Sequence, residues 1–182
     1  MNGFVESLTR IVEHLEAAQL DYMIVGSVAS TIYGEPRLTR VIDLVLSLKL
    51  ASAATFIAAL PSHLYYVPPS EIVTQEIQRK GQFNLLDQIA AFKIDIIFCK
   101  SNPHSVAEFL RRRRLQILPT IEAWVAAPED VIIKKLQYFV EGRSEKHLID
   151  IRGIIANTEL DHMYLKEWIQ SLCLTDAWQA AQ

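Results

Sequence analysis

An apolar run broken by a single acid, Val41-Ile42-Asp43-Leu44-Val45, constrains this chain more than any other feature. Its β-branched residues favour a strand, and a period of two puts Val41, Asp43 and Val45 on one face, with Ile42 and Leu44 on the other. Upstream, the apolar run Tyr22 to Val25 meets Gly26-Ser27, and a small-residue segment follows from Val28 to Tyr33. A polar loop, Gly34-Glu35-Pro36-Arg37-Leu38-Thr39-Arg40, leads into the acid-bearing run, which ends at Leu48. The pattern predicts strand, tight turn, helix, loop and strand. Free N–H groups at a helix start attract phosphate, and glycine lets a ligand approach the backbone closely. An acid on the next strand suits a cation that bridges phosphates. Gly26, Ser27 and Asp43 are therefore candidate parts of one nucleotide site.

The 182 residues suffice for one domain, or for one domain with a helical appendage. Hydrophobic residues make up 51%, ample for a core, and a net charge of −3 gives no global pull toward nucleic acid or anionic membrane. Cys99 and Cys173 lie in apolar runs without metal spacing and read as buried free thiols of a reducing compartment. No apolar run reaches membrane-spanning length, and Met1 to Arg10 lacks a signal pattern. The expectation is a soluble, cytoplasmic protein with no membrane partner.

Taken in order, Asn2 to Gln19 has the spacing of an amphipathic helix. Ala51 to Leu60 reads as an apolar helix stopped by Pro61, Leu64 to Val67 as a short strand, and Pro69 to Gln78 as a helix. Phe83 to Leu86 and Phe92 to Phe98 read as an antiparallel pair, with Lys93, Asp95 and Ile97 on one face. A lone charge such as Asp95 inside an apolar strand is costly unless it meets a cation, metal or donor. Pro103 predicts a helix to Arg113 or Arg114, whose four arginines form a solvated end complementing the helix dipole; a phosphate-backbone contact is the alternative. Leu115 to Leu118 and Ala123 to Ala126 read as short edge strands. From residue 127 the pattern is helical: Pro128 to Gly142, Ser144 to Ala156, Asp161 to Leu172, then a short tail from Asp176. The fold class is α+β. A mixed sheet of roughly five strands, flanked by helices, occupies residues 1–126, and a C-terminal helical segment, 127–182, packs on it.

Gly-Ser, a loop with arginine and threonine, an acid on one strand and an acid on a later strand resemble the nucleotidyltransferase superfamily. Pro128-Glu129-Asp130, Lys134 or Lys135, Arg143, Lys146, His147, Asp150 and Ile151 resemble its AbiEii-toxin-like branch. The resemblance covers most of Asp21 to Ile155 and implies metal-assisted transfer of a nucleotidyl group from NTP to a hydroxyl, on RNA or another acceptor. It implies Mg²⁺ as cofactor, NTP as substrate, an RNA or protein acceptor and, for a toxin, an antitoxin partner. In the family, Gly-Ser binds the triphosphate, and two acids one residue apart, with a third on a neighbouring strand, hold two Mg²⁺ ions. Carried over, Asp43 is the second acid and Asp95 the third, Lys135 is the functional lysine, and Asp130 and Asp150 are further candidates. Gly26, Ser27, Arg37, Thr39 and Arg40 are the candidate phosphate contacts.

The first family acid belongs at position 41, where this chain has a valine. Valine cannot ligate metal, so the alternative reading is a degenerate relative that binds nucleotide or protein without catalysis. Glu35, in the loop, is a candidate substitute or simply a solvated acid. Read without the resemblance, Gly26-Ser27 is a strand-to-helix turn, Asp43 pairs with Arg37, Arg40 or Lys93, and Asp95 pairs with Lys93. On the same plain reading Lys134 and Lys135 are the solvated rim of a helix, and His147 and Asp150 are surface residues pairing along one.

Overall fold

The computed structural model describes residues 3–182. Its strands are β1 (Tyr22–Ile24), β2 (Val41–Leu46), β3 (Tyr65–Tyr66), β4 (Gln82–Asp87), β5 (Phe92–Phe98), β6 (Arg113–Leu118) and β7 (Ile121–Val125). All seven belong to one mixed sheet in the order β3-β4-β5-β2-β1-β7-β6, rather than the five expected. The pairs β2·β5 and β1·β7 are parallel and the others antiparallel. The first five helices are α1 (Gly3–Ala17), α2 (Gly26–Tyr33), α3 (Ala53–Ala58), α4 (Ser70–Arg79) and α5 (Pro103–Leu110). The last four are α6 (Pro128–Gly142), α7 (Glu145–Asn157), α8 (His162–Ser171) and α9 (Thr175–Ala181).

The periodicity of two in β2 becomes a burial pattern. Ile42, Leu44 and Leu46 are fully buried, while Val41, Asp43 and Val45 are half-buried. The apolar face of β2 and β5 is covered from one side, where Phe56 of α3 stacks edge-on against Phe83 and Phe98. The opposite face carries the acids. Among the described residues no helix is long and apolar enough to cross a membrane.

Several local expectations are corrected. The helix expected over Ala51 to Leu60 is a 3-10 turn, Leu50–Ser52, followed by α3. The tail from Asp176 lies within a further helix, α9. β7 is not an edge strand, because it pairs with β1 on one side and β6 on the other. Cys173 is exposed rather than buried. Asp161 does cap α8, accepting from the Tyr164 N–H at 3.0 Å.

The arginine run is the largest correction. The helix of Pro103 stops at Leu110, and Arg113 and Arg114 open β6. None of the four cations is a solvated helix end. Arg111 reaches Glu129 at 2.8 Å and Asp130 at 3.3 Å, and stacks 3.6 Å above the Tyr164 ring. Arg112 pairs with Asp21 at 2.9 Å, Arg113 lies 3.5 Å from Glu129, and Arg114 contacts Glu16. The run thus ties α1, the sheet edge and the start of α6 together.

Glu129 is buried to 1% exposure and also accepts from the Asp161 N–H at 2.9 Å. Removing one partner of such a pair leaves buried charge and an unsatisfied amide. Glu129→Ala is expected to destabilise the protein by about 3 kcal/mol in urea unfolding. Glu122→Ala, at an exposed contact 3.7 Å from Arg114, is expected to cost less than about 1 kcal/mol. Equal losses in the two variants would contradict this account of the arginine run.

Candidate functional site

The register of β2 and β5 sets the site. Asp43 pairs with Asp95 and Val41 with Lys93 across parallel strands. Both acids therefore stand side by side on one face, about 4.8 Å apart along the hydrogen-bonding direction. Across β5, Asn84 of β4 continues the same row.

α2 begins directly above Asp43. Gly26 has φ +63°, a conformation that favours glycine, and a Cβ there would stand 2.2 Å from Asp43 Oδ2. The Ser27 backbone amide stands close enough to the Asp43 carboxylate to favour its charged form. The helix start expected to hold phosphate thus already holds an anion of this chain. Burial pushes the Asp43 carboxyl up, the Asp95 charge adds to this, and the Ser27 amide opposes both.

A second layer of charge braces the turn. Arg37 donates to Ser27 Oγ at 2.6 Å and pairs with Asp150 through Nε at 2.8 Å. Asp150 also binds the Lys135 ammonium, and both are buried. The chain Ser27–Arg37–Asp150–Lys135 links α2, the loop, α7 and α6. Lys135 and Asp150 are thus neither helix rim nor surface. Burial pulls the Lys135 ammonium below its ordinary value, with Asp150 and then Asp43 opposing. At Gly34 the loop passes α7 so closely that a Cβ would meet Gly153 C and Ile154 N at 2.9 Å.

Gly26, Ser27, Asp43 and Lys135 border a cavity of about 530 Å³, whereas Asp95, Arg37 and Asp150 do not line it. Gly26, Ser27 and Asp43 line one wall, and Lys134, Lys135, Tyr138 and Glu141 of α6 another. Lys80, Lys100, Glu108 and His147 add to the polar lining. Burial raises the Tyr138 phenol and lowers the His147 imidazole, the first reinforced by Asp43 and the second by Lys135.

The remaining candidates lie elsewhere. Thr39 Oγ1 donates to the Val41 carbonyl at 3.0 Å, which shapes the loop, and Arg40 is exposed. Neither lines the cavity. Asp130 is fully buried between Arg111 and Tyr164, whose hydroxyl donates to it at 2.6 Å. Glu35 accepts from Asn157 Nδ2 at 3.1 Å and is held against α7. Asp95 does have Lys93 as its ion-pair partner, whereas Asp43 takes an amide rather than a cation. Among the described residues no group of three or more His, Cys, Asp or Glu is disposed to hold a metal ion.

Glu108 escaped the sequence reading. It shares the buried face of α5 with His104, Ser105 and Phe109 at helical spacing, so an acid on that stripe was the available signal. Lys134 Nζ lies 3.5 Å from its carboxylate. Burial pushes its carboxyl up to about 7, against the pull of Lys134. A carboxyl that keeps its proton longer when folded loses stability as pH rises from 4.5, its ordinary value, to about 7. Glu108→Gln removes that loss. Urea midpoints are expected to favour the variant increasingly between about pH 5 and about pH 7.5. A difference that stays constant with pH would show that Glu108 titrates alike in both states.

No protein-family model matches the chain. No curated protein matches its sequence. Solved structures do share its architecture. The solution structure of the antibiotic-resistance factor ANT(2'')-Ia superposes with a TM-score of 0.60 at 12% identity, covering 99% of this chain and 97% of that one. The lincomycin-bound lincosamide antibiotic adenylyltransferase LnuA gives 0.55 at 14% identity, covering 84% and 97%. An antigenic nucleotidyltransferase-like protein from Paracoccidioides brasiliensis gives 0.52 at 18% identity, covering 93% and 89%. Likeness at these identities is likeness of fold: this chain has the fold of the nucleotidyltransferases.

Proposed function

We propose that the chain binds a nucleoside triphosphate in the cavity beside Asp43 and transfers its nucleotidyl group to a hydroxyl acceptor. The observation that carries this reading is Asp43, set under the first turn of α2 at the cavity wall, with Asp95 in register beside it on β5. Two carboxylates fit one Mg²⁺ delivered with a triphosphate, since that ion takes one or two carboxylates and completes its shell with phosphate and water. They do not fit two, because Val41 stands where a third carboxylate would be. When bound, such an ion polarises the phosphoryl group and neutralises departing pyrophosphate.

The chain's own residues do the rest. Lys80, Lys100 and Lys134 line the cavity and attract the polyphosphate, while Lys135, also in the lining, is held by Asp150. Arg37 holds the Ser27 side chain, and Asp150 fixes both Arg37 and Lys135. The transfer forms a bond from acceptor oxygen to α-phosphorus and breaks the α–β phosphoanhydride bond, releasing pyrophosphate, while the acceptor hydroxyl gives its proton to solvent. ANT(2'')-Ia is known in complex with adenylyl-2''-tobramycin, and LnuA with lincomycin. A small hydroxylated acceptor and RNA are thus both natural probes, RNA being the acceptor of a toxin paired with an antitoxin. Val41 favours a second reading, in which the chain binds nucleotide without transferring it.

Calorimetric titration with ATP and Mg²⁺ tests the shared premise, and no binding at millimolar ATP defeats both readings. Incubation with labelled ATP and tRNA, tobramycin or lincomycin separates them. Asp43→Asn is expected to lower transfer at least about a hundredfold, the scale typical of losing an electrostatic group aimed at the reacting centre. Binding without transfer to any acceptor would favour the second reading. Transfer that survives Asp43→Asn would place the site elsewhere.

A further inference from the structure

Val41 and Lys93 face each other in the register position next to Asp43 and Asp95. Strand alternation puts all four on one face of the sheet. Lys93 Nζ donates to Asp95 Oδ2 at 3.1 Å and lies within ion-pair distance of Oδ1, 2.9 Å, but outside hydrogen-bonding geometry, so Oδ1 is buried without a hydrogen-bond partner. The lysine side chain is half exposed at 47%, and the Asp95 side chain is 25% exposed. The two residues form a single local arrangement. Where an acid would add negative charge, the sheet has an apolar residue, and the residue opposite it supplies a positive charge to the neighbouring carboxylate.

An ammonium within 3 Å of a carboxylate competes with a divalent cation for the same lone pairs. The two cations also repel each other at that range. A metal ion on both oxygens of Asp95 must displace Lys93, whereas one that draws mainly on Asp43 and phosphate need not.

We propose that the Lys93 ammonium is the built-in counter-cation of the Asp43–Asp95 pair and takes the place of a second metal ion, limiting the site to one divalent cation. The phosphate partner of that cation rests on the nucleotide reading above. The competition between Lys93 and metal does not.

The test uses the full chain and Mn²⁺ alone, with free Mn²⁺ followed by its paramagnetic resonance signal. Lys93→Met is expected to tighten Mn²⁺ binding about tenfold, the equivalent of roughly one unfavourable charge contact removed. Lys93→Arg, which keeps the charge, is expected to restore native affinity. Asp95→Asn added to Lys93→Met is expected to abolish the gain, which locates the ion. With ATP present, the native protein and Val41→Asp alone are each expected to take up one Mn²⁺ per chain. Val41→Asp combined with Lys93→Met is expected to take up two. Unchanged or weaker Mn²⁺ binding in Lys93→Met overturns the proposal, as does a second Mn²⁺ on the native protein or on Val41→Asp alone. A native protein that binds no ATP defeats the nucleotide reading only; the Mn²⁺ titrations without ATP still decide the role of Lys93.

Discussion

Parallel pairing of β2 with β5 forces Asp43 against Asp95, and much of the surrounding structure answers that repulsion. Two unit charges about 5 Å apart repel by roughly 3 kcal/mol at an effective dielectric of about 20. A sheet that kept both acids without relief would give up a large share of a typical folding free energy. Relief comes from three directions. The Ser27 amide favours the Asp43 charge, Lys93 neutralises Asp95, and Lys135 brings positive charge toward Asp43 from α6. Close approach of α2 to the acid is what the left-handed Gly26 permits. The turn and the carboxylate pair are therefore one construction.

The C-terminal helices are part of that construction. Lys135 and Asp150 are both nearly inaccessible, and a buried ion pair contributes little net stability once desolvation is counted. Its value is positional. Asp150 receives Lys135 from its neighbouring helix and Arg37 from the loop, and Arg37 in turn holds the Ser27 hydroxyl. A shift of α7 would move the loop and the α2 turn with it. The Gly34–Gly153 approach enforces the same coupling through van der Waals contact. α6 and α7 thus close the cavity and fix the turn at once.

What could be read from the sequence was what depends on neighbouring residues. Alternation gave the faces of β2 and β5, and the Gly26–Tyr33 helix was legible from its glycine start and Gly34-Pro36 end. Pairing between distant strands was not. Nothing local to Asp43 or Asp95 states that their strands lie adjacent, parallel and in register. The arginine run was misread because charge content cannot tell a helix end from a strand whose partners lie on α1 and α6. The plain reading of Lys135 as a solvated rim fails for a related reason. Helical spacing places it next to the exposed rim, and only tertiary contact with α7 buries it.

Charge balance ties the cavity to the proposed ligand. Four lysines line it, against Asp43, Glu141 and a Glu108 whose carboxyl is raised to about 7. Lys135 is already held by Asp150, and Glu108 beside Lys134 is only partly ionised near neutral pH, so the lining carries a small excess of positive charge. Lys93 and Asp95 cancel each other beside them. A nucleoside triphosphate carries roughly four negative charges, and one divalent cation leaves about two. A second divalent cation would bring the ligand to neutrality and remove its attraction to the lysines. An apolar residue at position 41, a lysine opposite it and a lysine-rich cavity wall therefore all favour a ligand that arrives with a single metal ion.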